Sequence, residues 1–358
     1  MRITAKYLLE SLGAKVIPPP AVSQKTIEIG LSLCDEQYCM PFKVNVGDIV
    51  RAVEAGANTV LAAQSEGLCR FGGLWVPQKK IVERYFGKEI DFIPINQFDS
   101  MSSINKLIDT IKITISKEEL IDVIERTIYK IDLCNEATGL SNYIRPRAVN
   151  KRKLSDIFWT AIDKIDTAKT WKDIKDTKDK IHKLFSDIPV NDKIKPVKIM
   201  LTGSIFDVAV PSSKFQLVEI LGNMGAEVIP TLEFHDIIVL KNIAHDEKSK
   251  IRASEYARRN KELSQAAKKY IGVMASYYGF GGFAMQTVGN AALAKEKGFD
   301  GIVHIYPFGC MPEIVARSML KKISKDTDIP ILSLSIDEHT AAAGFLTRIE
   351  AFMDIVRR

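Results

Sequence analysis

Leu12-Gly13-Ala14-Lys15-Val16-Ile17-Pro18 is paralleled by Met224-Gly225-Ala226-Glu227-Val228-Ile229-Pro230, a weak repeat that agrees at five of its seven positions. Each follows a helix-patterned stretch, Lys6 to Ser11 in the first copy and Lys214 to Asn223 in the second, and each leads into a short β-branched run. A second pair follows in the same order. Ala52-Val53-Glu54-Ala55-Gly56-Ala57-Asn58-Thr59-Val60-Leu61 parallels Ala294-Lys295-Glu296-Lys297-Gly298-Phe299-Asp300-Gly301-Ile302-Val303. Amphipathic helix, glycine at its end, then an apolar run is the grammar of an α/β unit. Two such matches in one order predict two similarly folded α/β halves.

Between the halves the period changes. Ile104, Leu107, Ile108 and Ile111, then Leu120, Ile121, Ile124 and Ile128, recur at helical spacing, and Asn150 to Ser186 is lysine-rich with the same period. Val197 to Ser204 opens the second sheet, Tyr270 to Ala275 reads as a further strand, Ile331 to Ser335 as the last, and a helix from Thr340 to Val356 closes the chain. The expected division is an N-terminal α/β domain over 1–100, a helical connector over 101–195 and a C-terminal α/β domain with its closing helix over 196–358.

The composition fits that reading. With 358 residues, 46% apolar and 26% charged, the chain has the size and the balance of a folded globular protein of about two domains. Five cysteines without a framework spacing argue against a secreted disulfide scaffold. No apolar run is long enough to cross a bilayer, and the N-terminus lacks a signal core, so a cytoplasmic location without membrane attachment is expected. The net charge of +6 is concentrated between Arg145 and Lys198, interleaved with aspartates and apolar positions as on a solvated helical face. Nucleic-acid binding would need a recognisable module or stacking aromatics; Trp159 and Trp171 fit apolar helix faces instead.

Three cysteines stand in turn-like settings: Tyr38-Cys39-Met40-Pro41-Phe42-Lys43, Gly67-Leu68-Cys69-Arg70-Phe71-Gly72 and Phe308-Gly309-Cys310-Met311-Pro312-Glu313. Cys-Met-Pro occurs twice. Proline and glycine place these thiols on tight loops, and nearby cations (Arg70, Lys43) suit metal ligands or reactive thiolates. Val60 to Ala63 leads to Cys69 and Ile302 to Ile305 leads to Cys310, so both emerge at carboxyl ends of strands, where open α/β sheets bind ligands. Cys39 precedes a helix from Lys43 to Ala55, whose positive end favours a thiolate. Two sheets facing across a cleft would bring Cys39 and Cys69 from one side and Cys310 from the other.

Other candidates are weaker. Cys34 and Cys134 read as packing residues, His304 as a core or supporting residue inside a strand, and the glycine run from Tyr277 to Phe283 as a turn without a nucleotide fingerprint. His339, beside Asp337 and Glu338, fits an acid-rich helix start. Structural zinc prefers four ligands in paired knuckles, and a redox thiol pair would show CxxC; neither pattern is present.

Cys39 to Val44, the run around Cys310 and Asp337 to Phe352 together resemble the 2-hydroxyacyl-CoA dehydratase and benzoyl-CoA reductase superfamily, in particular its small stand-alone, activase-related members. The resemblance covers most of the chain and is weakest in the helical middle. It implies an α/β fold of two Rossmann-like (flavodoxin-like) domains facing across a cleft that holds a [4Fe–4S] cluster on three cysteines, which map onto Cys39, Cys69 and Cys310. Arg70 and Lys43 would then be supporting cations. An ATP-dependent activator protein would deliver low-potential electrons for one-electron chemistry on an acyl-CoA-like substrate, as a dehydratase-like lyase or an acyl-CoA reductase component. Pairing with itself or with a longer subunit is compatible with this reading. The alternatives are a non-catalytic [4Fe–4S] electron relay or accessory protein and, more remotely, a metal-free α/β ligand-binding protein. The chain departs from the family pattern in starting almost directly with a helix, in its shortness, and in lacking residues that match an acyl-CoA pocket.

Overall fold

The computed structural model describes residues 2–64, 70–96, 100–209, 217–232, 247–272 and 283–358. Its second half is organised by four parallel strands in the order β4-β3-β5-β6: β3 (Val197–Gly203), β4 (Ala226–Pro230), β5 (Gly301–Pro307) and β6 (Ile331–Ile336). Parallel neighbours need crossovers, and helices supply them: α9 (Ile205–Ala209), α10 (Leu217–Asn223), α11 (Glu247–Ile271), α12 (Ala284–Leu293) and α13 (Met311–Thr327), with α14 (Ala342–Val356) last. The two-residue period of the strands divides the core. Ile199, Leu201, Val303 and Ile305 pack with Phe345, Ile349 and Phe352 of α14 on one face. Met200 and Ile302 pack with Leu263, Val288, Ala316 and Leu320 of the other helices on the opposite face. Every residue of β5 is buried, as expected of a central parallel strand covered on both sides.

The first half is built more sparely. Among the described residues its sheet has two parallel strands, β1 (Thr59–Gln64) and β2 (Asp91–Asn96), in register from Thr59 opposite Asp91 to Gln64 opposite Asn96. The preceding helices are α1 (Arg2–Ser11), α2 (Gln24–Leu33) and α3 (Met40–Glu54), and α4 (Trp75–Phe86) makes the crossover. Two glycines let α2 and α3 touch backbone to backbone. A Cβ on Gly30 would lie 2.0 Å from the Lys43 carbonyl oxygen, and one on Gly47 would lie 2.1 Å from that of Thr26.

Two expected strands do not form as read. The run Ala14–Pro18 is irregular although its counterpart Ala226–Pro230 is β4. Pro18-Pro19-Pro20 follows directly and removes three consecutive amide donors, which blocks a ladder. Tyr270 and Ile271 end helix α11, its charged and apolar residues carrying the helical period through that point; Val273 to Ala275 lie outside the described residues.

The middle is helical: α5 (Ser100–Ile111), α6 (Lys117–Ile144), α7 (Lys151–Thr167) and α8 (Trp171–Ser186). Capping fixes their starts, with Ser116 and Glu119 forming a reciprocal box on α6, Thr170 and Asp173 another on α8, and the Asn150 side chain accepting from the Lys153 amide on α7. Lys130 is fully buried, donates to the carbonyls of Asp166 and Ala168 at the end of α7, and lies 4.0 Å from the Tyr7 ring centre. Burial pulls its amine down to about 8. Arg145 pairs with Glu219 of α10 at 3.0 Å and Arg147 with Glu227 of β4 at 2.7 Å, tying these helices to the second sheet. The tryptophans differ from expectation in one case. Trp171 donates its indole N–H to Asp122, whereas Trp159 is 53% exposed, its ring edge-on to Phe158. Among the described residues no helix is long and apolar enough to cross a membrane.

Candidate metal centre

Cys39 and Cys310 occupy the same structural position. Each is the N-cap of a long helix, α3 and α13, and each is followed by Met and Pro in the first turn. Proline suits that turn because the amide that it lacks has no helical acceptor there. The Cys39 carbonyl accepts from the Phe42 amide at 3.0 Å and the Cys310 carbonyl from that of Ile314 at 2.9 Å, so both helices begin tightly at the cysteine. Both thiols are half-buried. The rings of Tyr38 and Phe42 stack 3.9 Å apart on either side of Cys39 in sequence.

One side chain connects the two turns. Arg70 donates from Nη1 to the Gln37 carbonyl at 3.0 Å and from Nη2 to the Gly309 carbonyl at 2.8 Å. Gln37 lies two residues before Cys39 and Gly309 one before Cys310. Gly309 has φ +77°, a left-handed conformation that turns its carbonyl toward the guanidinium and that a side chain would strain. Cys69 precedes Arg70 in the chain but lies outside the described residues, as does the glycine run 277–282.

Burial pushes the Cys39 thiol up from its ordinary value, while the amides of Phe42 and Cys39 itself and the Arg70 charge pull it down. Asp207, in α9 at the carboxyl end of β3, pushes it up again. Asp207 is itself raised to about 7, first by burial and then by the neighbouring Glu313, with a Ser204 hydrogen bond opposing. Cys34 and Cys134 are lifted further, each to about 11 by burial, as packing residues would be.

The second expected cation has a different role from Arg70. Lys43 is 3% exposed and its ammonium donates to Glu338 Oε1 at 2.7 Å, joining α3 to the loop after β6. Burial raises the Glu338 carboxyl, but the hydrogen bond and charge of Lys43, its own amide and His339 outweigh this and leave it below its ordinary value. His339 does not cap α14; its amide donates to Asp337 Oδ1 in a turn that Thr340 completes, and the helix begins after Ala341.

His304 lies fully buried in β5. Its Nε2 is 3.0 Å from Glu313 Oε2, its Nδ1 3.2 Å from Ser333 Oγ, and the Thr287 hydroxyl donates to the same Glu313 oxygen at 3.0 Å. The sequence reading singled out neither Glu313 nor Asp207. Glu313 had one signal, since it heads the buried stripe Glu313, Ala316, Leu320, Ile323 of an amphipathic helix. Asp207 had none, being a single acid in a short helical turn that carries no motif.

Around Cys310 the surface is open and apolar, with Phe308 65% exposed and Met311 and Ile314 each 49% exposed. No set of three or more histidine, cysteine or acidic side chains in metal-binding proximity occurs among the described residues.

The family model for the 2-hydroxyglutaryl-CoA dehydratase D-component matches residues 100–356. That span contains the helical middle, the four-stranded sheet and Cys310, and leaves the segments of Cys39 and Cys69 outside it. Comparison with curated proteins finds no match. With well over half of its length matched, the chain belongs to the 2-hydroxyglutaryl-CoA dehydratase D-component family and, through it, to the 2-hydroxyacyl-CoA dehydratase superfamily.

Proposed function

We propose that Cys39, Cys69 and Cys310 hold a [4Fe–4S] cluster between the two halves of a 2-hydroxyacyl-CoA dehydratase-type component. In this reading the halves are Rossmann-like domains over 1–100 and 196–358, bridged by the helices of 101–195. The strand order of the second sheet supports it, since its first strand lies inside with the second on one side and the later two on the other. The observation that carries the reading is the Arg70 bridge. One guanidinium holds the turn before Cys39 and the turn before Cys310 together, and Arg70 immediately follows the third cysteine.

The donors that are described fit such a group. Two half-buried thiols at helix N-termini, with a guanidinium between their turns, give soft ligands for such a group, the guanidinium and the helix amides opposing the burial that raises Cys39. Burial raises the Cys39 thiol above its ordinary value, so a metal group that took it as a thiolate would displace its proton. The cluster, when bound, would supply one-electron chemistry at low potential to an acyl-CoA-like substrate, the electron arriving from an ATP-dependent activator protein. The chain's own share is to hold the thiols and to keep Arg70 across the joint. The exposed Phe308, Met311 and Ile314 offer apolar contact beside Cys310.

Anaerobic purification with iron and sulfide analysis and EPR tests this on the wild type and on Cys39→Ala, Cys69→Ala and Cys310→Ala. The expected result is four irons per chain in the wild type and loss in each variant. A cluster that survives unchanged in all three removes the assignment. Full loading without turnover of acyl-CoA thioesters, in the presence of a low-potential donor, would leave the relay reading in place of the enzyme.

A further inference from the structure

We propose that Glu313, clamped by His304 and Thr287, is a positioning residue that sets the direction of the Cys310 thiol; its importance for the cluster rests on the reading of Cys310 as a ligand. Glu313 is the third residue of α13, one turn from the N-cap cysteine, and is 1% exposed. An acid at that position ordinarily turns back to the N-cap amide at the surface. Here the Cys310 amide donates to the Pro307 carbonyl instead, at 3.1 Å, and the Glu313 carboxyl points into the sheet. There it meets a donor from β5 and a donor from α12, both on the same oxygen, at 3.0 Å each. With Glu313 accepting, His304 donates from Nε2, and its Nδ1 faces the Ser333 hydroxyl of β6. The imidazole is held flat by stacking on Tyr306, centres 4.8 Å apart.

These contacts join the first turn of α13 to β5, β6 and α12. A helix start that carries a thiol at its tip is therefore pinned by a buried polar set, each of whose bonds is directional. Packing alone would not need this. A glutamate at the head of an apolar stripe is costly to bury unless its hydrogen bonds are met, and a methionine would fill the same space. Its use is directional: the fixed carboxyl prevents the turn from rotating and carrying Cys310 away from the Arg70-bound Gly309.

The test uses the metal-free full-length chain, so that it does not depend on cluster assembly. Alkylation of Cys310 and Cys39 by iodoacetamide is followed by peptide mass spectrometry in the wild type, Glu313→Ala, Glu313→Gln and Thr287→Val, beside thermal unfolding of each. Glu313→Ala should change the Cys310 rate several-fold and leave Cys39 near its wild-type rate. Glu313→Gln, which keeps an acceptor oxygen, should restore it. Thr287→Val removes one donor and should shift the Cys310 rate in the same direction by less, which keeps the idea testable if the alanine variant does not fold. An unchanged Cys310 rate in folded Glu313→Ala, or in folded Thr287→Val if the alanine variant does not fold, overturns the proposal. Equal changes at Cys39 and Cys310 also overturn it, because they mark general loosening. If these rates behave as expected while Cys310→Ala keeps its full iron content, the cluster reading fails and the positioning role stands.

Discussion

The two Cys-Met-Pro turns begin their helices alike and are supported by opposite charges. Beneath Cys39, α3 buries the cation of Lys43 against Glu338; beneath Cys310, α13 buries the acid Glu313 against His304 and Thr287, with Asp207 as a second acid nearby. One helix is tied outward to a loop of the opposite half, the other inward to its own sheet. A short sequence motif thus fixes where a thiol sits on a helix, while the residues that follow it decide what the thiol feels. Tests that separate a cationic support from an acidic one are the most direct way to break this contrast.

The largest effect is expected at Asp207. Its carboxyl is raised from its ordinary 3.8 to about 7, so the folded state holds the proton more tightly than the unfolded chain. The stability that this provides is complete below about 4 and is lost as pH rises through 7. A gap of that size corresponds to about 4 kcal/mol. Asp207→Asn, which is neutral throughout, should match the wild type near pH 4 and exceed it in urea unfolding near pH 8 by up to that amount. Parallel curves for the two proteins from pH 4 to 8 would mean that the acidic side of the contrast is absent.

On the cationic side, Lys43→Met should cost about 3 kcal/mol at neutral pH, because it strands a mostly buried carboxylate. The sign of its pH dependence is opposite to that of Asp207. Glu338 titrates below its ordinary value, so the stability from the pair exists above that value and disappears as pH falls through the lower one. The Lys43→Met deficit should therefore shrink in acid. Replacing both partners, Lys43→Met with Glu338→Leu, should recover part of the loss, as removal of both charges leaves none unpaired. A double variant as unstable as the single one would place the cost in packing and not in charge.

How much of this was legible in the chain follows from which forces are local. Helix period, glycine ends and β-branched runs are local, and they located β1, β3, β4, β5, β6 and the helical middle. The same signals misread Ala14–Pro18, where three prolines outweigh β-branched residues, and Tyr270–Ile271, where an aromatic and a β-branched residue end a long helix. Strand β2, with a proline inside it, carried too mixed a signal to be singled out. For the site, loop cysteines beside glycine and proline could be picked out because their backbone chemistry is visible in sequence. Lys43 and Arg70 were read as two equivalent cations, yet one is a buried partner of Glu338 and the other a clamp on two carbonyls. Pairings such as Lys43 with Glu338 or His304 with Glu313 join residues from different elements, and sequence spacing carries no trace of them.

A smaller effect separates the backbone contacts beneath the two turns. Gly30 lets α2 approach α3 under Cys39, and Gly289 lets α12 approach α11, where an added Cβ would lie 2.4 Å from the Leu263 carbonyl. Alanine at either site forces helices apart, at about 2 kcal/mol by thermal or urea unfolding. Only Gly30→Ala moves α3 directly, so it should also raise Cys39 alkylation relative to Cys310. The reverse pattern would show that the cysteine helices are positioned from elsewhere.

The smallest expected change in stability, and the one closest to the joint, is at Arg70. Its two donors reach two carbonyls from opposite sides, a geometry that a planar guanidinium satisfies and a single ammonium does not. Arg70→Lys keeps the charge that draws the Cys39 thiol down and gives up at least one of the two hydrogen bonds, which is worth about 1 kcal/mol. Unfolding should therefore barely move. What should move is the register between the turns: cysteines introduced at Gln37, which carries one bridged carbonyl, and at Phe308, which precedes the other, should crosslink more slowly on oxidation in the Arg70→Lys background than beside arginine. The crosslink reports only whether the two turns stay together, since neither introduced thiol is one of the proposed ligands. If it forms equally fast in both backgrounds, the two turns are held by the halves themselves, and Arg70 acts on Cys39 through its charge alone.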